Sequence, residues 1–266
     1  MIGPYAPGPA GEAVGIYQGD ALTIHDVSEY AGFDLSFGTG VNSTALAILL
    51  IENGWRERIV FADTGTEWPE TYCFMRYFED AYLRPHGFEI ATLGAESREK
   101  WFKMSLIEHC EAHAVVPFMG ARWCTSEYKV SPLERFNGNR CLVGIAYEEA
   151  HRQPTRVRPL VDWGIDRDEC VRIIQAADLS VPRKSGCWIC PAQTRRQWRE
   201  LWKDHPDLYA RAEVLEKATS ERRGQACRIE ARNELTLAQM RADFESQIEM
   251  FDTDDYRAYQ PCVCGL

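Results

Sequence analysis

The chain has 266 residues, 45% of them hydrophobic and 26% charged, and carries a formal net charge of −10. This is enough apolar residue for one large domain, or a domain with an annex, and the acidic balance argues against a generally basic nucleic-acid surface. There is no apolar run of about eighteen residues and no charged-then-apolar leader pattern, so the expectation is a cytoplasmic chain without a membrane span.

Residues 1–30 are rich in Pro and Gly near the start and weakly periodic, and read as an N-terminal arm. The spacing then predicts a strand over 35–37, a helix over 42–53, a strand over 58–62 and a helix over 69–83. A strand over 88–93, a helix over 99–110, a strand over 140–145 and a helix over 166–177 capped by Asp166 follow. Alternation of this kind predicts an α/β fold, a doubly wound and mostly parallel sheet, over 31–181. In such a sheet ligands bind beyond the carboxyl ends of the strands, so residues 38–43, 63–66 and 144–152 are expected to converge.

Past Pro182 the character changes. A CxxC leads into a helical annex over 182–250, and 251–266 is a tail. Trp188, Trp198 and Trp202 recur with Leu201 and Leu208 near helical spacing, which predicts a packed face. His205-Pro206 reads as the end of one helix and the start of another. Arg195, Arg196, Arg199, Lys203, Arg222 and Arg223 read as a solvated helix face.

The segment Ser36-Phe37-Gly38-Thr39-Gly40-Val41-Asn42-Ser43-Thr44 carries most of the functional signal. A glycine-bearing turn before a helix offers free backbone N–H groups and the positive end of a helix dipole, and both suit a phosphate. A Walker loop fails here, because it needs Lys where the chain has Asn42. A dinucleotide fingerprint is a rival reading, with Asp63 as the ribose-binding acid.

A third reading comes from resemblance. The 36–44 segment is similar to the SGGxDS loop of the PP-loop ATP pyrophosphatases, also called adenine nucleotide alpha hydrolases. Phe61-Ala62-Asp63-Thr64-Gly65-Thr66-Glu67-Trp68-Pro69-Glu70-Thr71 resembles their DTGxxxPET segment. Arg122-Trp123-Cys124-Thr125-Ser126-Glu127-Tyr128-Lys129-Val130-Ser131-Pro132-Leu133 resembles their cysteine–lysine–proline stretch, and 144–152 a later GxxxxEsxxR-like motif. Together these resemble the phosphoadenosine phosphosulfate (PAPS) reductase family, with Asn42 standing where the common loop has Asp.

The resemblance implies an adenine nucleotide, either ATP with Mg²⁺ or a sulfonucleotide (PAPS or APS). It would sit on Ser36, Phe37, Gly38, Thr39, Gly40, Asn42, Ser43 and Thr44, with Asp63, Thr64 and Gly65 near adenine or ribose. Lys129 and Arg152 would neutralise charge during attack on the nucleotide. The expected reaction is cleavage of ATP to AMP and pyrophosphate, activating an acceptor for sulfur transfer. Reduction of PAPS or APS to sulfite, and a nucleotide-binding subunit without turnover, are the rivals. A sulfur-donor protein or small thiol is the implied partner, with room for a nucleic-acid substrate or partner and for a homodimer.

Ten cysteines are many for such a chain. Cys187 and Cys190 put two thiols on one turn, a spacing that suits a metal. With Cys124, placed by the resemblance, and Cys262 or else Cys264 as fourth ligand, or one iron left open, they read as a [4Fe–4S] site, with zinc or a plain thiol pair as alternatives. Cys264 lies in a Cys-Gly context near that of a PAPS reductase tail nucleophile; packing or metal ligation are its other readings. Cys73, Cys110, Cys141, Cys170 and Cys227 read as small core residues.

Overall fold

The computed structural model describes residues 25–138, 140–152, 155–230 and 235–246. In chain order the elements are β1 (Asp34–Ser36), α1 (Val41–Glu52), β2 (Ile59–Ala62), α2 (Pro69–Phe78), β3 (Ile90–Leu93) and α3 (Leu106–His113). There follow α4 (Trp123–Thr125), α5 (Ser131–Asn137), β4 (Cys141–Val143), α6 (Pro159–Asp162), α7 (Arg167–Ala176), α8 (Arg195–Asp204), α9 (Pro206–Arg223) and α10 (Leu237–Ser246). None of the helices in the described residues is long and apolar enough to cross a membrane.

The chain divides into two compact units. One comprises Met1–Ala62, Trp68–Leu93 and Pro132–Ser185; the other comprises Asp63–Glu67, Gly94–Ser131 and Gly186–Leu266. The units are therefore woven from alternate stretches, whereas composition alone suggests successive domains at 31–181 and 182–250.

The first unit is α/β. Its four strands are all parallel, in the order β3-β2-β1-β4. Leu35 pairs with Ile59 on one side and Leu142 on the other. β1, β2 and β4 are buried at every residue, as parallel strands covered on both faces must be. Chain order runs β1, β2, β3 in one direction and returns to place β4 on the far side of β1. That reversal opens a crevice beyond the carboxyl ends of β1 and β4.

Helix α1 is buried all round up to Ile51, because it is enclosed against the sheet and α7. Residues Val41 to Ile51 are all buried, and it packs on α7. Leu46, Leu49 and Leu50 join Leu35, Ile59, Ile173 and Ile174 in the core. Phe37 stacks on Phe78 with ring centroids 5.5 Å apart. At the opposite end of β1, the buried Asp34 carboxylate takes a two-pronged contact from Arg58, at 2.9 and 2.8 Å. The Asp166 side chain accepts from Glu169 N at 2.8 Å, so the expected cap of α7 is present.

Two helix boundaries differ from the sequence reading. α2 stops at Phe78 and continues as a π-turn over Glu79–Leu83, so the helix predicted to 83 loses its α register there. The helix predicted over 99–110 begins at Leu106. Ser105 Oγ accepts from Glu108 N at 3.3 Å and Glu108 returns its carboxylate to Ser105 N at 2.8 Å. This reciprocal cap fixes the start, and only a 3₁₀ turn, Lys100–Phe102, precedes it.

The second unit is helical apart from its loops. Trp198, Leu201, Tyr209, Leu215, Met240 and Phe244 are buried where α8, α9 and α10 meet. His205 ends α8 and begins α9. Several basic residues of this region are paired rather than gathered into a cleft: Arg195 with Asp243, Arg196 with Glu200, and Arg222 donating to Ala114 O.

Glu216 on α9 is 4% exposed and accepts from Ile229 N at 2.9 Å and Leu237 N at 2.7 Å. Burial raises its carboxyl above the ordinary glutamate range, against the lowering effect of the two N–H bonds. Because the folded state binds that proton more tightly, this group contributes stability below the ordinary glutamate range and loses it as pH rises through the folded value. In Glu216→Gln the amide nitrogen faces a backbone donor, and the lost acceptor costs about 1–3 kcal/mol. Urea titrations across pH 4–8 are expected to show a weaker variant whose stability lacks the wild-type decline with rising pH.

Candidate functional site

The crevice between β1 and β4 is built around the start of α1. Thr39 takes a left-handed conformation at φ 56°, and Gly40 is the extended N-cap residue. Gly40 O accepts from Thr44 N at 3.0 Å, Ser43 Oγ at 3.1 Å and Thr44 Oγ1 at 2.9 Å. Gly40 N donates to Ser43 Oγ at 3.2 Å. The hydroxyls of Ser43 and Thr44 therefore shape the loop itself. Thr44 is wholly buried, so its part is to hold the loop rather than touch a ligand.

Gly144 is the glycine this arrangement demands, and Gly40 sits close to a side chain that could shift. A Cβ on Gly40 would stand 3.2 Å from Ser185 Oγ. A Cβ on Gly144 would stand 2.7 Å from both the N and the Cα of Ser43. Gly38 is under no comparable constraint, since its nearest neighbour would be Ser43 Oγ at 3.9 Å. Ser36 and Phe37, at the end of β1, are buried.

Asn42 is 8% exposed and is gripped on both sides. Its Nδ2 donates to Glu149 Oε2 at 3.4 Å, and its Oδ1 accepts from Arg167 Nη1 at 3.4 Å. Glu149 is buried, and its other oxygen pairs with Arg152 Nη1 at 2.5 Å. The turn bearing Arg152 is held in its turn by Arg158, which donates to Arg152 O at 3.1 Å. Two nearby carboxylates point away to backbone amides: Glu148 to Arg167 N at 3.2 Å and Asp166 to Glu169 N at 2.8 Å. The cradle thus gathers loop amides, a helix start and two guanidinium groups around one committed carboxylate, and it suits an anion.

The second unit holds the remaining sequence-derived residues. Asp63 Oδ1 accepts from Gly65 N at 2.8 Å, closing an Asx turn. Gly65 has φ 66°, and a Cβ there would strike Ser105 Cβ at 2.6 Å. Asp63 O also accepts from the buried Arg98 guanidinium, which donates to Met104 O at 2.6 Å as well. The carboxylate of Asp63 therefore acts as a turn former in this structure.

Beyond that turn, Glu67 is a buried hub. Its Oε1 lies 3.1 Å from Lys129 Nζ, accepts from Thr64 Oγ1 at 3.1 Å and is 3.7 Å from Cys187 Sγ. Glu67 and Cys187 also form an isolated antiparallel bridge. Burial pushes the Cys187 thiol well above the ordinary thiol range and Glu67 adds to this, while Lys129 and Thr64 oppose it. Burial likewise raises the Cys124 thiol. Cys190 N donates to Cys187 O at 3.0 Å, so the CxxC forms the expected tight turn.

Cys124, Cys187 and Cys190 are not in disulfides, and no group of three or more His, Cys, Asp or Glu side chains among the described residues is arranged to hold a metal ion. The described cysteines thus do not by themselves fit an iron–sulfur or zinc site. Cys262 and Cys264 lie outside the described residues. The sequence reading overlooked Glu67 and Glu149 as buried charge partners, though both lie inside its motifs. Arg167, in the cap of α7, and Ser185, beside the CxxC, carried no local signal.

Residues 33–180 match the model of one family, the phosphoadenosine phosphosulfate reductase domain. No curated protein matches the chain.

Gly144→Ala forces its methyl into the Ser43 backbone, which has no flexible end to yield. The expected result is a loss of about 1–3 kcal/mol in thermal or urea unfolding. An unchanged midpoint contradicts the close approach. Lys129→Met leaves Glu67 buried without its cation. Loss of a wholly buried partner costs about 3–5 kcal/mol, and the partial exposure of Lys129 reduces the expectation to about 2 kcal/mol. Adding Glu67→Gln is expected to restore part of it, which a double-mutant cycle measures.

Proposed function

We propose a function from one premise: the chain belongs to the phosphoadenosine phosphosulfate reductase family, within the adenine nucleotide alpha hydrolase-like superfamily. The family match supports a nucleotide-binding enzyme, with PAPS or APS as the type of nucleotide. On that premise the protein seats the anionic tail of an adenine nucleotide on the β1–α1 loop and catalyses group transfer at that tail. The observation that carries this reading is the cradle at the β1/β4 crevice, where the amides of residues 38–43 and the start of α1 meet the Glu149–Arg152 pair.

The chemistry follows from the charges. The tail arrives carrying negative charge, and the loop amides receive it without reorganising. Arg152, held by Glu149, neutralises charge that grows as the anhydride bond breaks. If ATP is the substrate, attack at the α-phosphate releases pyrophosphate and leaves an adenylylated acceptor. A sulfur nucleophile, delivered by a carrier protein or a small thiol, then displaces AMP. If a sulfonucleotide is the substrate, a thiol attacks its sulfur, the nucleoside phosphate leaves, and a second thiol releases sulfite as a disulfide forms. No step here is routed through a metal or cluster, because the described donors do not fit one.

Calorimetric titration of ATP, APS and PAPS tests the seat, with coupled pyrophosphate and sulfite assays reporting which bond breaks. Arg152→Gln removes a charge-assisted contact worth about 1.5–3 kcal/mol, so nucleotide affinity is expected to fall roughly 10- to 100-fold; it also leaves the buried Glu149 without its cation, so the melting temperature is expected to fall and affinities are compared well below it. Wild-type protein that binds none of the three nucleotides refutes the reading. Binding with an unchanged Arg152→Gln affinity removes Arg152 from it.

A further inference from the structure

Among the described residues, the carboxylate and amide oxygens around the cradle are already engaged. A divalent cation beside a nucleotide tail needs carboxylate, carbonyl or water oxygens at short range. Asn42 Oδ1 already accepts from Arg167 Nη1 at 3.4 Å. Glu149 is engaged at both oxygens, by Asn42 Nδ2 at 3.4 Å and by Arg152 Nη1 at 2.5 Å. Glu148 and Asp166 face the backbone amides of Arg167 and Glu169. What the cradle presents instead is the cationic ends of Arg152 and Arg167.

Asn42 is the residue that permits this. Its amide can donate to a carboxylate on one side and accept from a guanidinium on the other. An aspartate would set a second carboxylate against Glu149 at the same separation, where like charges in a buried site repel strongly. With the neutral amide, Asn42 faces the Glu149 carboxylate on one side and the Arg167 guanidinium on the other. The Mg²⁺ expected from the resemblance therefore does not fit these donors.

We propose that the cradle takes its polyanion free of a divalent cation, with Arg167, held by Asn42, serving beside Arg152 as a direct ligand of the anionic tail. This rests on the nucleotide reading given above and narrows it to the metal-free form of the tail. A guanidinium offers a planar fork to phosphate or sulfate oxygens and stays charged at any working pH. A tail already neutralised by a chelated cation gains less from two such forks.

The test is calorimetric titration of the full chain with ATP at matched ionic strength, once in EDTA and once in excess Mg²⁺. The expected result is binding in EDTA about threefold or more tighter than in excess Mg²⁺. Arg167→Gln is expected to weaken binding in EDTA about tenfold, with its fold verified by thermal unfolding. Arg172→Gln makes the same charge change on the same helix, where Arg172 pairs with Glu169, and is expected to bind as wild type. Binding that requires Mg²⁺ overturns the proposal, and so does an Arg167→Gln affinity equal to wild type or matched by Arg172→Gln. Failure of ATP, APS and PAPS alike to bind under either condition removes the nucleotide reading, and the proposal falls with it.

Discussion

The exit of β4 comes so close to the entry of α1 that no side chain can stand between them. A methyl on Gly144 would meet the Ser43 backbone at 2.7 Å, and backbone cannot step aside as a long side chain can. That approach sets the width of the crevice at the strand-order reversal. It also decides which groups reach the loop: the turn after β4 brings Glu149 against Asn42 and carries Arg152 with it. Both strands are buried from end to end, so neither can slide to relieve the contact. The polar cradle is thus a product of apolar packing around α1, whose residues Val41 to Ile51 are all buried.

The second unit solves a different problem. Glu67 is almost completely enclosed, and an enclosed carboxylate is tolerable only when its charge and lone pairs are met. Lys129 supplies the charge and Thr64 a hydroxyl donor. The same carboxylate faces the Cys187 thiol, which burial keeps protonated. A thiol in that state is a poor nucleophile and a poor metal ligand, since both roles need the thiolate. Lys129 thereby acquires a structural duty in addition to the role that its motif implies.

Local patterns were legible in the sequence, and long-range pairings were not. The four strands lie within a residue or two of where apolar runs place them, and the Asp166 cap and the His205 junction are where side-chain chemistry puts them. The start of α3 escaped because a capping box outranks the amphipathic pattern that precedes it. The partners of Asn42 lie 107 and 125 residues away, a separation at which no periodicity operates. The loop itself could be read because its residues are neighbours. The charged groups around it could not, because they depend on β4 and α7 arriving beside it. Asp63 shows the converse: its residue type was visible, yet its carboxylate is engaged by Gly65 N two residues on.

The bridge between Glu67 and Cys187 joins positions 120 residues apart. Closing so long a loop is slow compared with winding a helix, and its entropy must be met before the contact gives anything back. A chain emerging from the ribosome carries Glu67 and Lys129 into solution well before Cys187 is made. Until then Glu67 lacks the wall that encloses it, and Thr64 lacks the sulfur at its side. A chain arrested ahead of Gly186 would therefore leave Glu67 without Cys187 beside it.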